Sequence, residues 1–347
     1  MTIGFGIVGC GMIAKFHARA IADIADAKLV GCFNRTAPKA DALAAEFGGE
    51  AYTELDALLA RDDVQVITIC SPSGAHMEPT LAAAKAGKHV IVEKPLDVTL
   101  DRCDAMIRAC EHAGVKLATI YPSRFHRSSQ LMKAAVDAGR FGTLTLGDAY
   151  VKWFRTQEYY DSGAWRGTWQ FDGGGALMNQ AIHSVDLLLW LMGPVAEVSG
   201  FSSLLAHERI EVEDVVTATL RFKNGALGVI EASTAAYPGC LKKIEIAGSR
   251  GMAILEEEDI IKWEFADALE SDKQLREEMQ GRTKTGGGAA DPAAIGHHAH
   301  AALFRDFLSS IAEDRAPAID GRGGRASVEL ILAIYESART GKQICLH

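Results

Sequence analysis

Lys94 stands directly before a proline, in Val92-Glu93-Lys94-Pro95, at the end of a short apolar run. Proline disfavours helical backbone in the residue before it, so Lys94 is expected on extended or turning chain at the carboxyl end of a strand. That is where open α/β sheets bind ligands. An amine partly desolvated there, beside a second positive charge, has a lowered pKa and suits proton exchange with a hydroxyl. A second candidate lies in Gly173-Gly174-Gly175-Ala176-Leu177-Met178-Asn179-Gln180-Ala181-Ile182-His183-Ser184-Val185-Asp186. Helical spacing puts Asn179 and His183 on one face, with Asp186 three residues beyond, a polar stripe on an otherwise apolar helix. The imidazole can move a proton, whereas the amide of Asn179 can orient a hydroxyl without deprotonating it. Acid–base work therefore falls on Lys94, His183 or both. Upstream, Trp165-Arg166-Gly167-Thr168-Trp169 offers aromatic faces for a sugar ring and a guanidinium for a carboxylate or phosphate. His297, His298 and His300 cluster in sequence, but no carboxylate or cysteine at ligand spacing completes a tetrahedral site, and no metal is expected. The seven cysteines are odd in number and widely spread, which fits reduced structural residues better than a disulfide framework.

The elements that position these groups follow from hydrophobic period. Up to about residue 122, short β-branched runs (4–8, 29–33, 64–70, 89–92, 116–120) alternate with amphipathic stretches (13–24, 38–47, 76–86, 100–112). Uninterrupted apolar strands between helices predict a parallel, doubly wound α/β sheet, a Rossmann domain over 1–122. From about 123 the runs lengthen and alternate (144–154, 195–204, 215–222, 226–232, 243–247, 252–256, 260–265), with Lys223-Asn224-Gly225 and Ser249-Arg250-Gly251 as hairpin turns. Residues 123–347 are thus expected to form an α+β domain built on a large, mostly antiparallel open sheet. Helical patterns interrupt it at 179–191 and 299–312, and a last helix at about 324–340 is expected to pack back on the first domain. The Gly-, Ala- and Pro-rich stretch 283–296 has the composition of a mobile surface loop.

Gly9-Cys10-Gly11-Met12-Ile13-Ala14 follows the first strand and opens the first helix. Gly9 allows the tight turn, Gly11 lets backbone approach a pyrophosphate, Ala14 lets helix pack on strand, and the helix N-terminus presents free N–H groups to the anion. At the end of the second strand, where a carboxylate often accepts ribose hydroxyls, stand Asn34 and Arg35, which accommodate NAD or NADP. Composition narrows the rest. With 36 Lys and Arg against 45 Asp and Glu among 347 residues, the net charge of −9 argues against a nucleic-acid partner. No apolar run reaches the roughly 18 residues that span a bilayer, and a cytoplasmic location is expected.

Together the GxGxxA loop, Cys70-Ser71-Pro72-Ser73 with His76, Glu93-Lys94-Pro95 and the Gly173 to His183 segment resemble the Gfo/Idh/MocA family of NAD(P)-dependent sugar and polyol oxidoreductases, over essentially the whole chain. The resemblance implies hydride transfer between nicotinamide and a carbon of a sugar, polyol or nucleotide-linked sugar. It implies Lys94 and His183 as catalytic groups, a cis peptide before Pro95, and Asn179, Trp165, Arg166, Arg124 and His300 near the substrate. It also implies Gly9, Gly11, Met12, Ile13, Asn34, Arg35, Ser71, Pro72, His76, Glu93 and Lys94 around the dinucleotide, and a homodimer or homotetramer through the antiparallel sheet. Relatives acting on inositol-like polyols carry an Asp four residues before the His, and here Asn179 replaces it. A tightly bound recycling cofactor and a non-catalytic dinucleotide-binding regulator are the alternative readings; Lys94 and His183 together speak against the regulator.

Overall fold

The computed structural model describes residues 2–283, 289 and 296–346. These residues form two compact units. The first comprises Met1–Pro122, Gln170–Gly173 and Gly296–Val328, and the second Ser123–Trp169, Gly174–Ile295 and Glu329–His347. The stretch 283–296 read above as a mobile loop falls mostly outside the described residues.

In the first unit, β1 (Ile3–Val8), α1 (Met12–Ala22), β2 (Ala27–Phe33), α2 (Ala37–Phe47), β3 (Glu50–Tyr52), α3 (Leu55–Leu59), β4 (Val66–Ile69), α4 (Met77–Lys85), β5 (His89–Val92), α5 (Leu100–Ala113) and β6 (Leu117–Thr119) alternate as the sequence pattern requires. The six strands form one parallel sheet in the order β3-β2-β1-β4-β5-β6. Phe5, Ile7, Ile67, Ile69 and Val90 to Val92 are fully buried, because helices cover both faces. Strand order reverses between β1 and β4, which places the ligand crevice at their carboxyl ends. The loops beginning at Gly9, Asn34, Cys70 and Glu93 all emerge on that edge. Local chemistry sets the boundaries: Thr99 caps α5 by accepting the Arg102 N–H (3.4 Å), and Gly114 ends it at φ 65°. The sequence reading passed over β3 and α3, which are too short to show a period.

The second unit holds α6 (Arg127–Asp137), β7 (Leu144–Lys152), α7 (Gln157–Asp161), a π-helical turn (Ala176–Ala181), α8 (Ile182–Met192), β8 (Val195–Ser203), β9 (Val215–Phe222), β10 (Leu227–Ser233), β11 (Lys243–Gly248), β12 (Gly251–Glu256), β13 (Asp259–Phe265) and α9 (Glu270–Glu278). Next along the chain come α10 (His298–Ala312) of the first unit, α11 (Gly321–Thr340) and β14 (Ile344–Cys345). The eight strands run β13-β12-β11-β7-β10-β9-β8-β14, antiparallel except for the parallel β7–β10 pair. One face is covered by α8, whose Met192 lies against Gly147 of β7. The other carries Leu146, Thr217, Thr219 and Leu227 into solvent. α11 changes unit at residue 328: Gly324 and Arg325 face Thr119 and Asp104 within the first, and Ile334 lies on Gly200 within the second. Among the described residues no helix is long and apolar enough to cross a membrane.

Candidate active site

The glycine loop has the form a dinucleotide pyrophosphate requires. Gly9 adopts φ 92°, and a Cβ there would sit 2.7 Å from the Ser71 nitrogen, so β1 and β4 meet only because the residue is glycine. A Cβ on Gly11 would meet nothing within 4 Å, leaving open space over the loop. Gly11 caps α1 without any side-chain hydrogen bond, so the first N–H groups of that helix are not held by a cap, and Ala14 is fully buried beneath them. Met12 is half exposed at the rim and Ile13 follows it. The Asn34 side chain fixes the loop: its Oδ1 accepts the Cys10 N–H (3.2 Å) and its Nδ2 donates to the Thr36 carbonyl (3.1 Å). Arg35 is exposed beside it, with no carboxylate at the strand end to reject a 2′-phosphate. Ser71 donates to the Ala75 carbonyl, and Pro72 leads into a short 3-10 turn, Ser73–Ala75. The buried His76 ring bridges the Pro95 and Ser71 carbonyls, each at 2.9 Å. His76 thus braces the two loops together within the protein.

Lys94 follows β5, half-buried, and its peptide bond to Pro95 is cis. Glu93 turns inward. Its Oε1 accepts from His17 Nε2 (2.8 Å), its Oε2 accepts the Lys94 backbone N–H (3.1 Å), and His300 Nε2 stands 3.9 Å from Oε1. Burial is the largest influence and works to raise the Glu93 carboxyl, but the His17 hydrogen bond and the electrostatic pull of His17, His300 and Lys94 together hold the group below the usual carboxylate range. His17 Nδ1 in turn contacts Thr68 Oγ1 at 2.7 Å and Cys70 Sγ at 3.3 Å. Glu93, expected from the resemblance near the dinucleotide, has its carboxylate on His17 and on the Lys94 backbone. His300, expected from the resemblance near the substrate, lies deep in the first unit. It is 4% exposed, packed on Phe16 and His17, and burial pushes its imidazole down to about 4, so the ring is neutral. Carboxylates do approach these histidines through the fold: Asp23 reaches His297 at 2.9 Å, and Glu93 approaches His17 and His300. Asp23 is 274 residues from His297, and Glu93 is 76 from His17 and farther still from His300, beyond the reach of a spacing argument.

In the second unit Asn179 lies in the π-helical turn and His183 in the first turn of α8, so a uniform helical stripe does not describe them. Both are half-buried. Asp186 leaves the expected stripe: it is fully buried and takes a bidentate pair from Arg124, Nη2 at 2.6 Å and Nε at 2.8 Å, with the guanidinium 5.5 Å from the Trp190 ring centre. Arg124, expected from the resemblance near the substrate, anchors α8 through this pair. The aromatic and arginine cluster does assemble. Gln180 Nε2 donates to Asn179 Oδ1 (2.8 Å) and to the Tyr159 hydroxyl (3.0 Å), which also accepts from Arg166 Nη1 (2.6 Å). Arg155 donates to Gln180 Oε1 (2.9 Å). Arg166 stacks on Tyr159 and Trp165, 4.3 and 4.6 Å from the ring centres, and among the described residues no carboxylate pairs with it. Sequence reasoning missed Tyr159, Arg155 and His17, which belong to none of the motifs, and gave no role to Gln180, which lies within the Gly173 to His183 segment.

Comparison with known proteins agrees with this architecture. Residues 3–121 match the model of an oxidoreductase family with an NAD-binding Rossmann fold, and residues 129–254 match the GFO/IDH/MocA C-terminal domain. The chain is 36% identical to the WlbA dehydrogenase from Bordetella pertussis, solved in complex with NADH and UDP-GlcNAcA, with a TM-score of 0.89 over 100% of this chain and 99% of that one. It is 29% identical to the myo-inositol 2-dehydrogenase of Thermotoga maritima over 98% of both chains, and 27% identical to the inositol 2-dehydrogenase of Rhizobium meliloti over 100% of both. An open glycine cradle at the switch point of a parallel sheet, a lysine at a strand tip and two matched domain models lead to one conclusion: the chain belongs to the Gfo/Idh/MocA family and is an NAD-binding oxidoreductase.

Proposed function

We propose that the protein oxidises or reduces one carbon of an anionic sugar derivative, a uronate or a nucleotide-linked sugar acid. The observation that carries this reading is Arg166, stacked on two aromatic rings, hydrogen-bonded to a tyrosine hydroxyl and paired with no carboxylate among the described residues. Guanidinium on an aromatic platform grips a carboxylate or phosphate, while the rings cover a sugar face. The nucleotide sugar bound by the WlbA dehydrogenase is a ligand of this kind. Gly9, Gly11 and the N-terminus of α1 would hold the pyrophosphate, and Asn34 and Arg35 lie where the adenosine ribose is expected. When bound, the nicotinamide supplies the hydride acceptor or donor. Lys94 exchanges the proton of the reacting hydroxyl, His183 serves as the second acid–base group, and Asn179 orients a hydroxyl through its amide.

The test is a panel of neutral polyols, uronates and nucleotide sugars, read by the absorbance of reduced nicotinamide with each cofactor in turn. Turnover confined to the acidic members is expected, with Lys94→Met abolishing it while dinucleotide binding persists. Equal turnover of neutral polyols, or a protein that binds no dinucleotide, overturns the reading.

A further inference from the structure

Glu213 takes part in none of the motifs above, yet it organises the segment that carries Asn179 and His183. It lies just before β9 and is 4% exposed. Its Oε2 accepts the Gly175 N–H (2.9 Å), its Oε1 the Leu177 N–H (2.9 Å), and its backbone carbonyl the Ala176 N–H (3.1 Å). The Tyr335 hydroxyl of α11 donates to Oε1 (2.9 Å) and accepts the Met178 N–H (3.2 Å). Four consecutive amides, residues 175 to 178, are thus held by one glutamate and one tyrosine. These are the donors that the start of a helix leaves without partners, and Gly175 supplies no side-chain cap of its own.

The glycines make this approach possible. A Cβ at Gly174 would lie 2.2 Å from the Tyr335 hydroxyl, and one at Gly175 would lie 1.9 Å from the Glu213 carbonyl oxygen. The chain then enters a π-helical turn, a rare geometry frequently found at functional sites. It presents Asn179 from that turn and His183 from the first turn of α8.

Burial pushes the Glu213 carboxyl up to about 7, against the amides of Gly175 and Leu177 and the Tyr335 hydroxyl, which favour its ionised form. The neighbouring Asp214 points elsewhere, to the amides of Leu205, Ala206 and His207 and to the His207 ring. An apolar residue there would leave the Gly175 and Leu177 amides without partners, so the buried carboxyl is retained for the backbone geometry it holds.

We infer that Glu213, working through Tyr335, is a positioning residue for the oxidoreductase reaction: it fixes the backbone of residues 175–178 and so sets where Asn179 and His183 stand. This rests on the functional reading above for the roles of those two side chains.

The experiment compares Glu213→Gln, Tyr335→Phe and the double variant by hydrogen exchange of the segment 174–181, NADH affinity from its fluorescence, and kcat and KM on a substrate the wild type turns over. Faster exchange confined to that segment, unchanged NADH affinity and a kcat lower by about 10- to 100-fold are expected, since misplacement of a reacting group by about 1 Å costs on that scale. The double variant should exchange faster and turn over more slowly than either single variant, because Glu213→Gln disturbs the amides of Gly175 and Leu177 while Tyr335→Phe frees that of Met178. If Glu213→Gln does not fold, Tyr335→Phe carries the test, as it keeps the ring and its edge-on contact with Trp169. Faster exchange with unchanged kcat would make the network merely structural, and unchanged exchange would remove the positioning claim. The exchange arm needs no substrate, so its outcome stands apart from the failure of the substrate assignment.

Discussion

Acid should unfold the first unit through His300 before it reaches the carboxylates. The imidazole is buried between Phe16, His17 and Glu93, and its pKa falls to about 4 in the folded chain from an ordinary value near 6.5. The folded state therefore disfavours the proton that the unfolded chain readily binds. Between those two values the unfolded state holds more protons, so stability is complete above about pH 6.5 and declines as pH falls toward 4. At about 1.4 kcal/mol per unit, the shift amounts to about 3 kcal/mol in all. Glu93 acts at the lower end of this range: its folded pKa is depressed, so its contribution is present above the ordinary carboxylate value and is lost as pH falls through the folded one. Urea unfolding of wild type and His300→Phe at pH 7.5, 6 and 5, at constant ionic strength, isolates the histidine, because every other titrating group is shared. The wild type should lose stability more steeply, by about 1 to 2 kcal/mol between pH 6.5 and 5. Parallel curves for the two proteins would refute the reasoning.

Arg124→Met leaves the buried Asp186 carboxylate without its guanidinium and should destabilise the second unit by about 3–5 kcal/mol, read as a lower urea midpoint. Adding Asp186→Asn should recover part of that loss. Arg35→Asp should lower the preference for NADP over NAD by about tenfold or more, since a carboxylate repels the 2′-phosphate and accepts the ribose hydroxyls; the ratio of kcat/KM values for the two cofactors checks it. The open face of the large sheet pairs Leu227 with Leu146 across the parallel β7–β10 pair and carries Phe201, 79% exposed, on β8. A second copy of the chain is expected to cover it, so sedimentation should give a multiple of 37.2 kDa for the wild type and a shift toward that mass for Phe201→Asp.

Local signals carried far in this chain. Runs of buried β-branched residues flanked by amphipathic stretches gave β1, β2, β4, β5 and β6 to within a few residues, because the period of a strand or helix is a property of neighbours in sequence. The Gly9 turn and the chain entering Pro95 were legible for the same reason: each depends on what one or two residues allow the backbone to do. β3 and α3 were missed because three or five residues do not establish a period.

Pairings across the fold were decided only by tertiary structure. The sequence placed Asp186 beside His183 on a helix, but Asp186 belongs to Arg124, 62 residues away. It grouped His300 with His297, yet the two face different carboxylates. It was silent on Glu213 and Tyr335, 122 residues apart, which meet over a single carboxylate oxygen. A buried polar group must find a partner wherever the packed chain supplies one, and that choice depends on which elements come together, not on spacing along the sequence. Residue type and local pattern determined what chemistry this protein carries; the packing of distant segments determined which groups are braced, which are neutral and which remain to meet a ligand.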